Sequence, residues 1–277
     1  MGIIFGLLAA LGWGGGDFMI SRSTRVIGPF QTMFYVQLAG IGGIMLVLLL
    51  RQDQPPTALW PWVLGFSANL FNLVGTMLMY RAFAVGTLSI VSPITASFAV
   101  VTMLLALLGG ERPGALALAG TLLVIAGVLV VSRGHAGAVG PPRGVPEALG
   151  SAICFGCYFW AISFATPLLG IAWPVLIGRL TAILAAWGLL RLYGSRPVRM
   201  TASNWWPVLA AACFDTTALL CYNAGIASAY VSIVTALASI FSAVTVLLAW
   251  AFLRERLHIT QWAGVAGLLV GVLMVSL

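Results

Sequence analysis

Two charged side chains, Arg179 and Asp215, lie deep inside long apolar stretches of the sequence. A charge at the centre of a membrane-spanning helix costs about 2.5–3.5 kcal/mol on insertion scales, so such residues are rare and need a role. One role is a binding site in which Arg179 meets a carboxylate and Asp215 meets an ammonium group or a proton. The other is a permanent salt bridge between neighbouring helices, and the residues alone leave both open.

Trp13 and Asp17 are four residues apart, so on a helix they share one face. An indole beside a carboxylate suits a cavity wall that accepts an amphipathic amine through cation–π contact. Asp17 also lies near the end of its apolar stretch, within reach of Arg22, Arg25 or Arg81. The alternative interpretations of Asp17 are therefore an interfacial ion pair with one of these arginines, or a gate formed by such a pair.

Six further side chains with a polar group lie within apolar stretches rather than at their ends, where an interfacial aromatic belt would lie. They are predicted to line the same cavity: Asn72, Tyr80, Ser92, Tyr158, Trp160 and Tyr222. For each of them the alternative is ordinary packing between helices. Pro93 frees a backbone carbonyl group within its helix, which predicts either a hinge or a static kink.

The composition places most of the chain in a membrane. Of its 277 residues, 61% are hydrophobic and only 7% are charged, against about 25% charged residues in soluble domains. The net charge of +7 comes from arginines scattered singly at the ends of apolar stretches, which fits membrane orientation and not nucleic-acid binding. Cys154 and Cys157 have the spacing of a metal motif but lack the second pair of a zinc site, so no cofactor is expected.

Apolar stretches alternate with turn residues along the whole chain. A span needs about 20 apolar residues, and the stretches predict an all-α membrane protein with ten transmembrane helices and no separate soluble domain. The predicted helices are residues 3–21, 28–50, 60–83, 87–109, 114–132, 145–165, 170–193, 204–228, 231–253 and 259–276. The breaks between them contain turn chemistry, as at Gly28-Pro29 and Pro141-Pro142.

The second half of the sequence repeats the first. The matched residues are Ser89-Ile90-Val91 with Ser232-Ile233-Val234, Glu111-Arg112 with Glu255-Arg256, Gly120 with Gly264, Gly127 with Gly271, and Gly12 with Gly156. This predicts two five-helix repeats, residues 1–133 and 146–277, joined by a linker at residues 134–145. Because five is an odd number, the second repeat must be inverted in the membrane. Inverted repeats are typical of secondary transporters.

The arginines predict the orientation of the chain. One face carries Arg22, Arg25, Arg81, Arg133, Arg143, Arg191, Arg196, Arg199, Arg254 and Arg256, and the other carries Arg51 and Arg112. Basic residues collect on the cytoplasmic side, so both termini are expected outside.

The cavity is expected to be lined by the predicted helices one, three, four, six, eight and nine. Small residues on helices five and ten, such as Gly127 and Gly271, predict a packing seam outside the cavity, between these helices or across a homodimer.

The doubled turn and its glycine spacing resemble the EamA repeat, which defines the ten-helix branch of the drug/metabolite transporter superfamily. The residues that carry the resemblance are Pro93, Gly110-Glu111-Arg112-Pro113, Gly120 and Gly127-Val128, with Glu255-Arg256, Gly264 and Gly271-Val272 in the second copy. The second copy departs at Leu253 and Leu257, where the first has Gly110 and Pro113. The resemblance implies helices around a central cavity, alternating access and no ATP hydrolysis, and no Walker-type phosphate loop is present in the sequence.

Within that branch the layout is similar to bacterial exporters of amino acids, including the aromatic type. This implies a multi-pass protein of the bacterial inner membrane, a monomer or homodimer whose partners are a small-molecule substrate and the lipid bilayer. Alternatives of the same class are efflux of cationic drugs and transport of sugar-type metabolites. An intramembrane enzyme is disfavoured, because both histidines, His135 and His258, lie in loops.

Overall fold

The structure, a computed structural model, describes residues 2–109, 114–132, 143–194, 197–228, 234, 237–255 and 259–275. In chain order the helices are α1 Gly2–Ile27, α2 Pro29–Arg51, α3 Trp60–Val85, α4 Leu88–Ala96, α5 Phe98–Leu108, α6 Ala115–Ser132, α7 Val145–Leu169, α8 Trp173–Leu192, α9 Ala202–Ser228, α10 Phe241–Leu248 and α11 Ile259–Val275. A π-helical turn, Ala249–Leu253, continues α10. All of the regular elements in these residues are helical. Seven helical spans among them are long and apolar enough to cross a membrane.

The helix ends lie within a few residues of the predicted ones, with α1 as the main exception. The sequence predicts an end at residue 21, but α1 continues to Ile27. The chain leaves the helix only at Gly28, whose φ of 85° favours glycine. Arg22 and Arg25 therefore lie on the last turns of α1 and not in a loop. The Glu111-Arg112 turn and most of the predicted linker and of the start of helix nine lie outside the described residues.

The predicted helix at residues 87–109 is broken at Ser97 into α4 and α5. The N–H group of Ser97 donates to the carbonyl oxygen of Ile94 at 3.1 Å, three residues back rather than four. The second half breaks at the matching residue, Ile240, where the N–H group donates to Leu237 at 3.3 Å. Pro93, the predicted hinge, lies inside α4, and its counterpart in the repeat is an alanine. Because both halves break and only one has the proline, proline is not required for the break.

α1 of the first half crosses α10 of the second at a close contact centred on Gly14. A Cβ atom at Gly14 would lie 2.5 Å from Cβ of Val244 and 2.9 Å from the carbonyl oxygen of Phe241, so a larger residue does not fit. The hydroxyl group of Thr245 donates to the carbonyl oxygen of Gly14 at 3.4 Å. Glycine thus lets two helices of different halves approach closely.

α7 of the second half makes the same contact with α5 of the first. A Cβ atom at Gly156 would lie 2.4 Å from Cβ of Val101 and 3.0 Å from the carbonyl oxygen of Phe98. The hydroxyl group of Thr102 donates to the carbonyl oxygen of Gly156 at 3.2 Å. In the repeat these residues of α5 match the three residues of α10 that meet Gly14. Each half therefore holds the other through the same set of contacts.

This pair of contacts corrects the register of the repeat between α1 and α7. The sequence comparison matches Gly156 with Gly12, whereas the packing matches Gly156 with Gly14. Gly12 packs against α9 instead, and a Cβ atom there would lie 2.8 Å from Cβ of Ala218. The run of glycines in α1 offers several alignments, and the three-dimensional contacts decide among them.

α6 and α11 pack against each other along the predicted seam of small residues. A Cβ atom at Gly127 would lie 2.8 Å from the backbone nitrogen of Leu268 and 2.9 Å from the carbonyl oxygen of Gly264. The seam therefore joins these two helices within one chain.

Candidate functional site

A cavity of about 80 Å³ lies between the two halves of the bundle. Its lining residues come from α1, α2, α3, α5, α7, α8, α9 and α10. We call it the central cavity and define it by six of the predicted site residues: Trp13, Asp17, Tyr80, Tyr158, Arg179 and Asp215. α2 and α8, which correspond to the second and seventh predicted helices, were not among the helices expected to line it. α6 and α11, the fifth and tenth predicted helices, contribute no lining residue from their described part, as the sequence predicts.

Arg179 and Asp215 form an ion pair in the wall of the central cavity. Nη1 of Arg179 lies 2.8 Å from Oδ2 of Asp215, and the two side chains are 2% and 23% exposed. Pairing neutralises two charges that would each be costly alone in an apolar setting. Since both residues line the cavity, the pair lies where a substrate could compete for either partner.

Two neutral side chains also accept hydrogen bonds from the terminal nitrogens of Arg179. Nη1 donates to Oε1 of Gln37 at 2.7 Å, and Nη2 donates to Oγ1 of Thr216 at 2.8 Å. Sequence reasoning missed both partners, although a glutamine within the apolar stretch of α2 was an available signal. The guanidinium group is therefore held by three side chains from two neighbouring helices, Gln37 on α2 and Asp215 and Thr216 on α9.

The backbone of Gly40 in α2 lies directly against Arg179. A Cβ atom at Gly40 would lie 2.6 Å from Nε and 2.8 Å from Cζ of Arg179. A contact below 3 Å can be relieved only if Arg179 moves, and three hydrogen-bonding partners hold it in place. Gly40 is therefore a second element of the site that the sequence did not indicate.

We expect Gly40→Ala to reduce transport by at least about tenfold, because losing one hydrogen bond of a charged group costs about 1.5–3 kcal/mol. Gly42→Ala is the matched control, since a Cβ atom at Gly42 meets nothing within 4 Å. The measurement is the initial rate of uptake into liposomes at equal protein incorporation. Equal rates for the two variants would show that the position of Arg179 is not critical.

Asp17 lies in the central cavity and not in an interfacial ion pair. Its side chain is 4% exposed, and the hydroxyl group of Ser92 donates to Oδ2 of Asp17 at 3.4 Å. The predicted pairing with an arginine of the nearby helix ends is wrong for the described residues. Arg25 pairs with Glu255 at 3.2 Å, and Arg81 pairs with Glu147 at 3.4 Å; Arg22 lies over a tryptophan ring. Asp17 therefore offers a carboxylate to the cavity.

Aromatic rings form much of the wall of the central cavity. The ring of Trp13 lies 5.7 Å from that of Phe159 and 6.2 Å from that of Phe241. Phe241 stacks on Phe98 with 6.3 Å between ring centroids. These two phenylalanines directly follow the breaks at Ile240 and Ser97. The broken helices of the two halves thus meet at the cavity.

The remaining predicted site residues divide into two groups. Tyr80 and Tyr158 are buried and line the cavity, as does Asn72, which donates to Oδ1 of Asn69 at 3.5 Å. The structure places three others away from the lining. Ser92 donates to Asp17 but is not itself a lining residue. The ring of Tyr222 lies 5.6 Å from that of Trp13. The ring of Trp160 packs against that of Phe164.

Glu255, in the second half, connects helices at the end of the bundle where Arg25 lies. Oε1 and Oε2 of Glu255 accept hydrogen bonds from the backbone N–H groups of Leu88 and Ser89 at 3.1 and 2.9 Å. Oε2 also accepts from the hydroxyl group of Ser89 at 2.8 Å. Glu255 therefore caps the first turn of α4, where a negative charge is stabilising. Together with Arg25, it ties α1 and α4 to the end of the π-helical turn after α10.

We expect Glu255→Gln to lower the thermal unfolding temperature in detergent by a few degrees, because losing a helix cap costs about 1 kcal/mol. Glu147→Gln is the control, since Glu147 forms a comparable surface pair with Arg81 but caps no neighbouring helix in the described residues. A midpoint unchanged from that of the control would mean that this cap does not hold the end of the bundle together.

The apolar helices, the two matching halves and the polar cavity between them define a multi-pass membrane protein. The EamA-like transporter family matches residues 1–133 and again residues 143–277. The chain therefore belongs to the EamA-like transporter family, within the drug/metabolite transporter superfamily, and carries two of its repeats. Membership in this family points to a membrane transporter that moves a small-molecule substrate and is not an enzyme.

A solved structure described as "Crystal structure of protein" has the same fold. It superposes with a TM-score of 0.72 over 99% of this chain and 95% of that chain, at 21% sequence identity. At this identity the similarity concerns the fold alone. Among the curated proteins, none matches this chain.

Proposed function

We propose that the chain is a secondary transporter that works by alternating access and exports amino acids or similar small amphipathic metabolites. The observation that carries the proposal is the central cavity itself. It combines an ion pair between Arg179 and Asp215, a separate carboxylate at Asp17, and a wall of aromatic rings. A zwitterion with an apolar side chain has a partner for each of its groups in such a cavity.

The charges suggest how the substrate binds. The ammonium group of the substrate meets Asp17, while the indole of Trp13, one helical turn away, lies beside it as an aromatic partner for a cation. The carboxylate of the substrate meets Arg179 by replacing Asp215, whose side chain is the more exposed of the pair. Asp215 then becomes free to take a proton or to meet a second ammonium group.

The size of the cavity supports a cycle of opening and closing. A protein cavity of about 150 Å³ holds one benzene molecule, and the central cavity has about 80 Å³. An aromatic amino acid therefore needs a wider state than this one. We propose that movement at the breaks at Ser97 and Ile240 widens it, since Phe98 and Phe241 directly follow them and line the cavity.

The proposed architecture is ten transmembrane helices in two inverted repeats, in the inner membrane of a bacterium, with both termini outside. The equivalent contacts of Gly14 and Gly156 support two halves that pack reciprocally. Arg25, Gly86 and Glu255 lie together at one end of the bundle, the end that the arginine distribution predicts to be cytoplasmic. A reporter fused after Leu277 that fluoresces only in cytoplasm should stay dark, and a bright fusion would reverse the orientation.

Efflux of cationic drugs is the second candidate, and the balance of charges in the cavity favours it. Asp17 and Asp215 are two carboxyl groups, whereas Arg179 is the one arginine among the lining residues in the described part of the chain. A cation without a carboxylate would leave the ion pair intact and use Asp17 and the aromatic wall. The two candidates therefore differ in whether the substrate needs a carboxylate.

A panel of labelled compounds in liposomes tests the proposal. It contains aromatic and aliphatic amino acids, their decarboxylated amines and a quaternary ammonium dye, each measured with and without a pH gradient. Amino-acid export requires uptake of amino acids above that of empty liposomes, and drug efflux requires uptake of the amines or the dye alone. Dependence on the pH gradient would show proton coupling. Uptake of no compound in the panel would contradict both candidates.

A further inference from the structure

A second pocket, of about 230 Å³, lies where the end of α1 meets the beginning of α9. Its lining includes Arg22 and Ser23 from α1, and Ser203, Asn204 and Trp206 from the first turns of α9. It is separate from the central cavity, since the two share none of their lining residues. We call it the α1–α9 pocket.

The α1–α9 pocket has a cation at its edge that is not neutralised by the protein. Cζ of Arg22 lies 5.8 Å from the centre of the ring of Trp206, and among the described residues Arg22 forms no ion pair. The aromatic ring positions the guanidinium group but leaves its N–H donors available in the plane. An anion can therefore bind Arg22 without displacing a partner.

Two further features of the pocket favour an anion. Ser23 is 5% exposed, and its hydroxyl group has no hydrogen-bond partner within the described chain. α9 begins at Ala202, so the pocket lies at the positive end of a long helix dipole. The N–H groups of Asn204 and Trp205 already donate to the carbonyl oxygen of Thr201 at 3.0 and 3.1 Å, so the helix contributes its dipole and not these donors. A buried hydroxyl group, a free guanidinium group and a helix N-terminus together suit a group with several acceptor oxygens.

We infer that the α1–α9 pocket binds a phosphate group, at the same end of the bundle as Arg25 and Glu255. The flat guanidinium group of Arg22 matches two phosphate oxygens, and Trp206, which is half exposed, suits the level of the lipid headgroups. Basic pockets between helices on the cytoplasmic side bind anionic headgroups. The phosphate belongs either to an anionic lipid or to a soluble phosphate compound, and both sources present the same chemistry to these residues.

The test measures binding to the purified full-length protein in detergent, with three probes at constant ionic strength. The probes are phosphatidylglycerol, phosphatidylcholine and inorganic phosphate, with lipid adducts counted by native mass spectrometry and the unfolding midpoint read for each probe. Wild-type protein should bind phosphatidylglycerol more tightly than phosphatidylcholine if the source is a lipid. A shift with inorganic phosphate alone would assign the site to a soluble phosphate compound.

The variants assign the binding to the pocket. Arg22→Gln should weaken binding about fivefold, the effect of one arginine near an anionic surface, and Ser23→Ala should weaken it as well. Arg191→Gln is the matched control, because Arg191 also lies over a tryptophan ring, 5.1 Å from that of Trp187, but outside this pocket. Equal binding by Arg22→Gln and Arg191→Gln would overturn the inference. So would wild-type protein that binds phosphatidylglycerol no more tightly than zwitterionic phosphatidylcholine and does not respond to inorganic phosphate.

Discussion

Replacing Asp215 by asparagine should abolish measurable transport while the protein still folds and inserts. The change removes the negative partner of Arg179, which is 2% exposed and lies 2.8 Å away. Breaking a buried ion pair by removing one partner costs about 3–5 kcal/mol when it leaves an uncompensated charge. The amide oxygen of asparagine still accepts a hydrogen bond, which limits the loss of folding. The main effect is therefore on transport, because the step in which the substrate carboxylate replaces the Asp215 carboxylate at Arg179 is lost.

The control for this change is Asp53→Asn. Asp53 pairs with Arg51 at 2.9 Å near the end of α2, so the variant breaks an arginine–aspartate pair of similar length outside the central cavity. It should transport at the wild-type rate. Uptake into liposomes at matched protein density measures both variants.

The double variant Arg179→Leu with Asp215→Leu separates a functional pair from a structural one. Removing both charges of a buried pair is often neutral for stability, so a purely structural pair predicts normal transport by the double variant. Our account predicts a folded protein that does not transport. Normal transport would remove the pair from the mechanism and leave Trp13 and Asp17 as the site.

Replacing Asp17 by asparagine should produce the second large effect. It removes the cavity carboxylate that we assign to the ammonium group of the substrate, while the amide oxygen keeps the hydrogen bond from Ser92. A charge-assisted hydrogen bond contributes about 1.5–3 kcal/mol, so we expect the KM for an amine substrate to rise at least about tenfold.

The control for Asp17→Asn is Glu147→Gln, which removes a carboxylate that pairs with Arg81 at the surface. Competition by deaminated analogues adds a readout that general damage to the fold would not change. They should compete as well in Asp17→Asn as in wild-type protein. A KM that stays at the wild-type value in Asp17→Asn would contradict an ammonium site at this residue.

The all-helical membrane class of the fold could be predicted because each spanning helix is one continuous apolar stretch, which can be recognised without knowing its neighbours. The end of α1 could not, since the residues from Ser21 to Arg25 look like a loop in sequence. In the structure Ser21, Ser23 and Thr24 are buried against neighbouring helices. Tertiary packing therefore continues a helix whose polar composition indicates an end.

The charged part of the site was predictable for a similar reason. Arg179 and Asp215 stand out in any apolar stretch, because a lone charge there is costly. Gln37, Gly40 and Thr216 do not stand out. A single glutamine, glycine or threonine within a helix is common, and only the packing of α2, α8 and α9 brings these three against Arg179.

The register of the repeat shows a third limit. In sequence Gly12 is the better partner for Gly156, because the same alignment also matches Gly6 with Gly150. The surroundings of Gly12 and Gly14 differ in the fold, where Gly14 meets Val244 and Gly12 meets Ala218. The equivalent contact of Gly156 with Val101 then decides the match.

Accessibility of the central cavity from the two faces of the membrane tests alternating access most directly. The measurement uses Trp13→Cys in a protein whose native cysteines are replaced by serine, and a membrane-impermeant thiol reagent added to right-side-out or inside-out vesicles. The control is Leu123→Cys, at a half-buried residue of α6 that does not line the central cavity. We predict labelling of position 13 from both faces, slowed by transported substrate, with labelling of position 123 insensitive to substrate. Labelling of position 13 from one face only, or at a rate that substrate does not change, would contradict the account.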